Sequence, residues 1–198
     1  MRRAISPIRW MAAFMWVPFI AACDIYYFPD TADLRTLTEP DLIAPGIYDA
    51  EDVVAVIRPA QDTANEIWLF DEDEIVYQSQ INFVPAGDRI LMVASSLTLH
   101  KAAETQSFDG DILFVLTPNN LGFDMYDPID DAMDDEDTFA LASECENDPE
   151  GTGSLTDLGM VPLCLNSGVS GEDISAWFST ADLGDTPQAS FVRMSPAE

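Results

Sequence analysis

The groups able to do chemistry in this 198-residue chain are unevenly supplied: one histidine, His100, one lysine, Lys101, three cysteines, and 36 carboxylates. Nucleophilic catalysis of the Ser-His-Asp or Cys-His kind needs an imidazole to take the proton. His100 is the one candidate, with Asp109 or Asp111 as the acid that a turn could bring near it, and no Gly-x-Ser-x-Gly elbow surrounds any serine. A phosphate loop needs glycine-rich backbone at a helix start and normally a lysine, and Gly151-Thr152-Gly153 has neither. Paired carboxylates could hydrolyse a glycosidic bond. Among 36 acids some pair always meets the spacing, so the pattern singles none out. The expectation is that no residue is catalytic and that the protein is not an enzyme.

A hard cation is the remaining chemistry. Ca²⁺ takes six to eight oxygens, and Asp127, Asp130, Asp131, Asp134 and Asp135 form a dense run of donors with Glu136 and Asp137 behind them. The spacing is not that of an EF-hand; Asp148-x-Glu150-x-Thr152-Gly153 begins like one but has Gly159 where the bidentate Glu belongs. A solvated acidic loop is the competing reading. Calcium on that run is the alternative expectation, and no other cofactor is expected.

The formal net charge is -28. Such a field repels phosphate backbones, whose binding requires several cations, so nucleic acid is excluded as a partner. The cations that exist are partly at the front: Arg2, Arg3 and Arg9 precede an apolar stretch over residues 10–22, in the order of an export signal. The stretch ends in Ile20-Ala21-Ala22-Cys23. This resembles the lipobox of bacterial lipoproteins, in which two small residues precede a cysteine that is diacylated and becomes the first residue. The resemblance implies a signal peptide over residues 1–22, lipidation at Cys23, and a membrane as partner through that anchor. Thirteen apolar residues fall short of the roughly 20 needed to span a bilayer. Asp24 directly after the cysteine resembles the signal that retains enteric lipoproteins on the inner membrane, on the periplasmic side. Beyond Cys23 the chain holds 36 acids against five bases. Acyl chains at about 0.8 kcal/mol per buried methylene anchor such a body without basic residues. With Cys23 consumed by lipid, Cys145 and Cys164 remain as an even pair in an oxidising compartment, which implies a disulfide.

The elements that would carry these groups are mostly strands. Residues 23–47 contain Pro29, Pro40, Pro45 and Gly46 with little periodicity and read as the lipidated cysteine followed by a tether, with a single β-rich domain over 48–198. Within it, the β-branched run 53–57, the run 67–70, the alternating stretch 74–84, its return over 89–99, and the pair 112–116 and 121–125 give six strands joined by short turns. Short connections make sequence neighbours sheet neighbours. Ser170 with Glu172 and Asp173 reads as a helix start, followed by Ile174, Trp177, Phe178 and Ala181 on one face. Residues 189–194 read as a last short strand. The fold class expected is α+β, β-rich: an antiparallel meander of about six strands with one late amphipathic helix. If the meander closes into a barrel, Trp68, Tyr77, Phe83, Phe114 and Phe123 could line a ligand cavity as in lipocalins, of whose early Gly-x-Trp motif Gly46-Ile47-Tyr48 is a loose echo. The function expected is a membrane-anchored, non-catalytic interaction or structural module of the cell envelope. The alternative is a binding protein for a small apolar ligand or Ca²⁺.

Overall fold

The computed structural model describes residues 26–51, 53–60, 64–71, 74–101, 104–134, 140–145 and 160–195. Its centre is the meander. Val53–Pro59 (β3), Asn65–Asp71 (β4), Glu74–Ala86 (β5), Arg89–Lys101 (β6), Glu104–Pro118 (β7) and Gly122–Tyr126 (β8) pair antiparallel, each with the next. These are the six strands read from the sequence. The β5–β6 hairpin turns through Gly87 at φ +66°, a left-handed conformation that glycine adopts without steric cost. Alternation then sorts the side chains: Ala55, Ile57, Ile67, Ile81, Phe83 and Met92 point to one face, Leu91, Val93, Leu113 and Val115 to the other.

The meander of about six strands is corrected to a closed eight-stranded barrel. Gly46–Ala50 (β2) pairs with β3, and Ala189–Arg193 (β11) pairs with both β8 and β2. The twist and coiling of a meander this long bring its ends within one strand's width, and β11 fills the gap. Closure demands a glycine. A Cβ on Gly122 would run into the carbonyl of Phe191, so β8 and β11 approach as they do because position 122 has no side chain.

The tether expected over residues 24–47 is also corrected, since the packed body begins by Tyr26. Tyr26–Tyr27 (β1) pairs in parallel with Val161–Leu165 (β10), which pairs with Ala142–Glu144 (β9). Phe28 exchanges both main-chain hydrogen bonds with Asp111, each 2.8 Å, on the edge of β7 that β8 leaves free. After the short helix Ala32–Arg35 (α1), residues 39–45 cross the end of the barrel where β2 and β4 start. The Glu39 amide donates to the Phe83 carbonyl (2.8 Å), Asn65 Nδ2 to the Pro40 carbonyl (3.2 Å) and the Tyr48 hydroxyl to the Ala44 carbonyl (2.6 Å). The prolines mark a chain that makes few regular ladder bonds but still packs.

Two apolar layers result. One is the barrel interior. The other lies outside β5, β6 and β7, where Tyr26, Phe28, Leu34 and Leu163 pack with Ile129 of Pro128–Asp134 (α2) and with Ile174 and Phe178 of Gly171–Thr180 (α3). The helix α3 is the one read from the sequence. Ser170 and Asp173 form a reciprocal capping box, with Asp173 accepting from the Ser170 hydroxyl (2.6 Å) and amide (2.9 Å), and these bonds hold its carboxyl below the usual carboxylate range. No helix among the described residues is long and apolar enough to cross a membrane.

Candidate functional site

His100 stands on β6 opposite Thr105, and its Nε2 is buried with no hydrogen-bond partner among the described residues. Asp111 is not beside it. The register places Asp111 opposite Ser95, five residues and about 17 Å along β6 from His100. The pairing of His100 with Asp111 considered from sequence is not assembled.

Asp111 serves a different arrangement. It is buried on the outer wall of the barrel, and its carboxylate accepts from the Thr31 hydroxyl, from the Ser95 hydroxyl (2.6 Å) and from Arg35 Nη2 (2.6 Å). The Ser95 carbonyl in turn accepts from Ser79 Oγ at 2.6 Å. These groups meet because β5, β6 and β7 share an irregularity at this level, with Ser96 at φ +52° and Gly110 at φ +141°. Bulges re-aim side chains, and here they turn polar groups toward the incoming N-terminal segment. A buried charge is costly unless paired and hydrogen-bonded, and Asp111 is both. The cluster fastens β1 and α1 to the barrel wall. Its signal in the sequence was an acid next to an apolar run, which by itself does not distinguish a buried acid from an exposed one.

Cys145 and Cys164 are joined in a disulfide, with Cα atoms 5.0 Å apart and β9 paired to β10 alongside. Cys23 lies outside the described residues. Of the acidic run, Asp127 accepts the Ile129 amide at Oδ1 (3.2 Å), ahead of Pro128 at the first position of α2. Asp130, Asp131 and Asp134 are carried on that helix, and Asp135 lies outside the described residues. Among the described residues no group of three or more His, Cys, Asp or Glu is placed to hold a metal.

The barrel interior is the other candidate. Tyr27, Ala55, Ile81, Phe83 and Leu116 retain no accessible surface, and Tyr48, Ile57, Met92, Phe123 and Phe191 retain at most 5%. A water-sized void beside these side chains would expose them, so this part of the interior is filled by its own residues, as an eight-stranded barrel can be. Tyr48 packs on Phe123, and Phe123 on Phe191, at ring-centroid distances of 5.2 and 5.0 Å. Tyr27 reaches in from β1, and its hydroxyl finds no partner among the described residues. Toward the end where β4 finishes, the cross-strand row Leu69, Tyr77 and Leu99 is half-buried. Burial of the Tyr77 hydroxyl pushes it up to about 12, with a hydrogen bond to Ser79 acting in the opposite direction. Of the aromatics read as possible lining, Phe83, Phe114, Phe123 and Tyr77 belong to the interior cluster. Trp68 faces outward under the Arg58 guanidinium at 4.5 Å, donating to Glu66 Oε2 at 3.2 Å.

The outside carries a feature that the sequence did not disclose. Among the described residues the exposed large hydrophobic side chains are Ile47, Leu121, Val192 and Met194. They come from three distant parts of the chain and meet at one rim of the barrel. The Arg193 amide donates to the Leu121 carbonyl (2.7 Å) and the Met194 amide to the Ile47 carbonyl (2.8 Å), and Val192 is register partner to Gly122 and Asp49. Isolated exposed hydrophobics need no explanation, whereas a contiguous group of them marks a contact surface. No family model, no characterised protein and no solved structure matches the chain.

Proposed function

We propose that the protein is a membrane-anchored, non-catalytic interaction module of the cell envelope, exported by residues 1–22 and held through acylated Cys23, with Asp24 favouring the inner membrane. The observation that carries this reading is the convergence of Ile47, Leu121, Val192 and Met194 on one rim of an otherwise acidic barrel. It is supported by the structural use of the groups best suited to chemistry. Asp111 is bound by three donors that fasten the N-terminal segment, and the two cysteines are closed into a disulfide. The alternation, apolar inside and polar outside on much of the wall, is the reverse of a transmembrane barrel with its lipid-facing apolar band.

The half-buried row Leu69, Tyr77 and Leu99 favours a second reading, a small apolar ligand held at the mouth of the barrel rather than deep within it. Cys23→Ala tests the anchor. The expected outcome is loss of acylation with an unprocessed precursor or a released form, and unchanged mass with unchanged membrane attachment would overturn it. Native mass spectrometry of residues 24–198, exported to the periplasm without the lipidated cysteine, separates the two readings. A bare polypeptide carrying the two-hydrogen deficit of its disulfide supports the interaction module; a retained lipid-like or calcium mass moves the ligand reading ahead.

A further inference from the structure

We infer that the rim carrying Ile47, Leu121, Val192 and Met194 rests on the surface of the bilayer that holds Cys23, so that the barrel is a docked body and not one swinging on a tether. This deepens the proposed function and rests on Cys23 being the anchor. The first argument is the length of the leash. Only three residue steps separate Cys23 from Tyr26, where β1 is already hydrogen-bonded into the body, and three steps of extended chain span at most about 10 Å. The membrane surface must therefore lie close to the point where β1 enters.

That point is defined. Phe28 pairs with Asp111 on the free edge of β7, just past the end of β8, whose last residue Tyr126 stands opposite Val115. The apolar rim belongs to the strands that follow around the same flank. Leu121 precedes β8, Val192 stands near the end of β11 with Met194 just past it, and Ile47 is near the start of β2. Adjacent strands are about 4.8 Å apart, and the seven residue steps along β7 from Asp111 to Pro118, opposite Phe123, span about 23 Å. Anchor and rim thus lie on neighbouring strands within a distance that one flat surface covers.

The second argument is charge. Beyond Cys23 there are 36 acids and five bases, so most of this surface is repelled by anionic lipid. Of the five bases, Arg193 is on the rim itself, its Nη2 bound to the Pro45 carbonyl at 3.0 Å, whereas Arg58, near the end of β3, is paired with Glu66 at 3.0 Å. Acids border the rim: Asp49 is exposed directly opposite Val192, and Asp124, bound by the Ser190 hydroxyl at 2.6 Å, lies further along β8 than Leu121. They suit shallow interfacial seating and not insertion.

The test uses the protein purified from membranes and reconstituted in phosphatidylethanolamine–phosphatidylglycerol vesicles with brominated acyl chains. Val192→Trp places a fluorophore on the rim, and Ala176→Trp places one on the exposed side of α3. Bromine quenching of the added fluorescence is expected to be at least threefold greater at position 192, and Leu121→Glu together with Met194→Glu should bring the two positions level. Equal quenching at both positions, with Cys23 acylated in the same preparation, overturns the docking while leaving the anchor. An unmodified Cys23 peptide overturns the anchor and the inference together. A Val192→Trp emission shift that depends on protein concentration in detergent, without lipid quenching, assigns the rim to a second copy of the chain and overturns it as well.

Discussion

At the scale of single residues, Asp111 and Tyr77 show how burial gives ordinary side chains measurable roles. Asp111→Ala leaves the Thr31 and Ser95 hydroxyls without their acceptor and frees Arg35. The expected loss is about 2–4 kcal/mol in urea unfolding, moderated because the Arg35 side chain is half exposed and can rehydrate. A change within error would remove the cluster as the fastening of the N-terminal segment. Tyr77 gives a pH dependence of definite sign. Its folded value, about 12, lies above the ordinary 10, so the neutral hydroxyl contributes stability in full below pH 10 and loses it as pH rises toward 12. Tyr48 is shifted the same way, by burial first and with Arg193 opposing. Stability should fall between pH 10 and 12, and Tyr77→Phe should flatten that fall; an identical profile in the variant would assign the titration elsewhere.

Closure at the scale of elements depends on one seam. Gly122→Ala forces β8 away from the Phe191 carbonyl, and the seam between β8 and β11 must open or shift. Overpacking of this kind costs about 3 kcal/mol, and amide exchange should accelerate first in residues 122–126 and 189–193. Exchange that accelerates uniformly would argue against a local seam. The disulfide holds a separate element, the β9–β10 hairpin under β1. Reducing it reopens a loop of about 20 residues and should lower stability by roughly 3 kcal/mol. An unchanged Tm after complete reduction would show that β9 and β10 hold without it.

The whole molecule is governed by its charge. The 36 acids and five bases beyond Cys23 produce self-repulsion that salt relieves, as the screening length falls from about 30 Å at 0.01 M to about 3 Å at 1 M. Tm should rise by several degrees across that range of NaCl, measured by differential scanning calorimetry. A flat or falling Tm would mean that the carboxylates are already neutralised by bound cations, which would return attention to the acidic run after Tyr126.

The sequence by itself determined the local elements. Alternation placed β3 to β8 in order, Ser170 and Asp173 marked the start of α3, and an even count of cysteines beyond Cys23 pointed to the Cys145–Cys164 bond. Each is a short-range property, set by side-chain period, by a cap three residues long, or by parity. Tertiary structure alone decided what joins distant positions. It made β11 and β2 the closing strands, seated β1 on β7, and buried Asp111 while leaving other acids in solvent. It also gathered Ile47, Leu121, Val192 and Met194 on one rim. No periodicity in the chain could show these, because pairings across more than 60 residues follow from sheet twist and from the gap left at the seam, and neither is written in any local pattern.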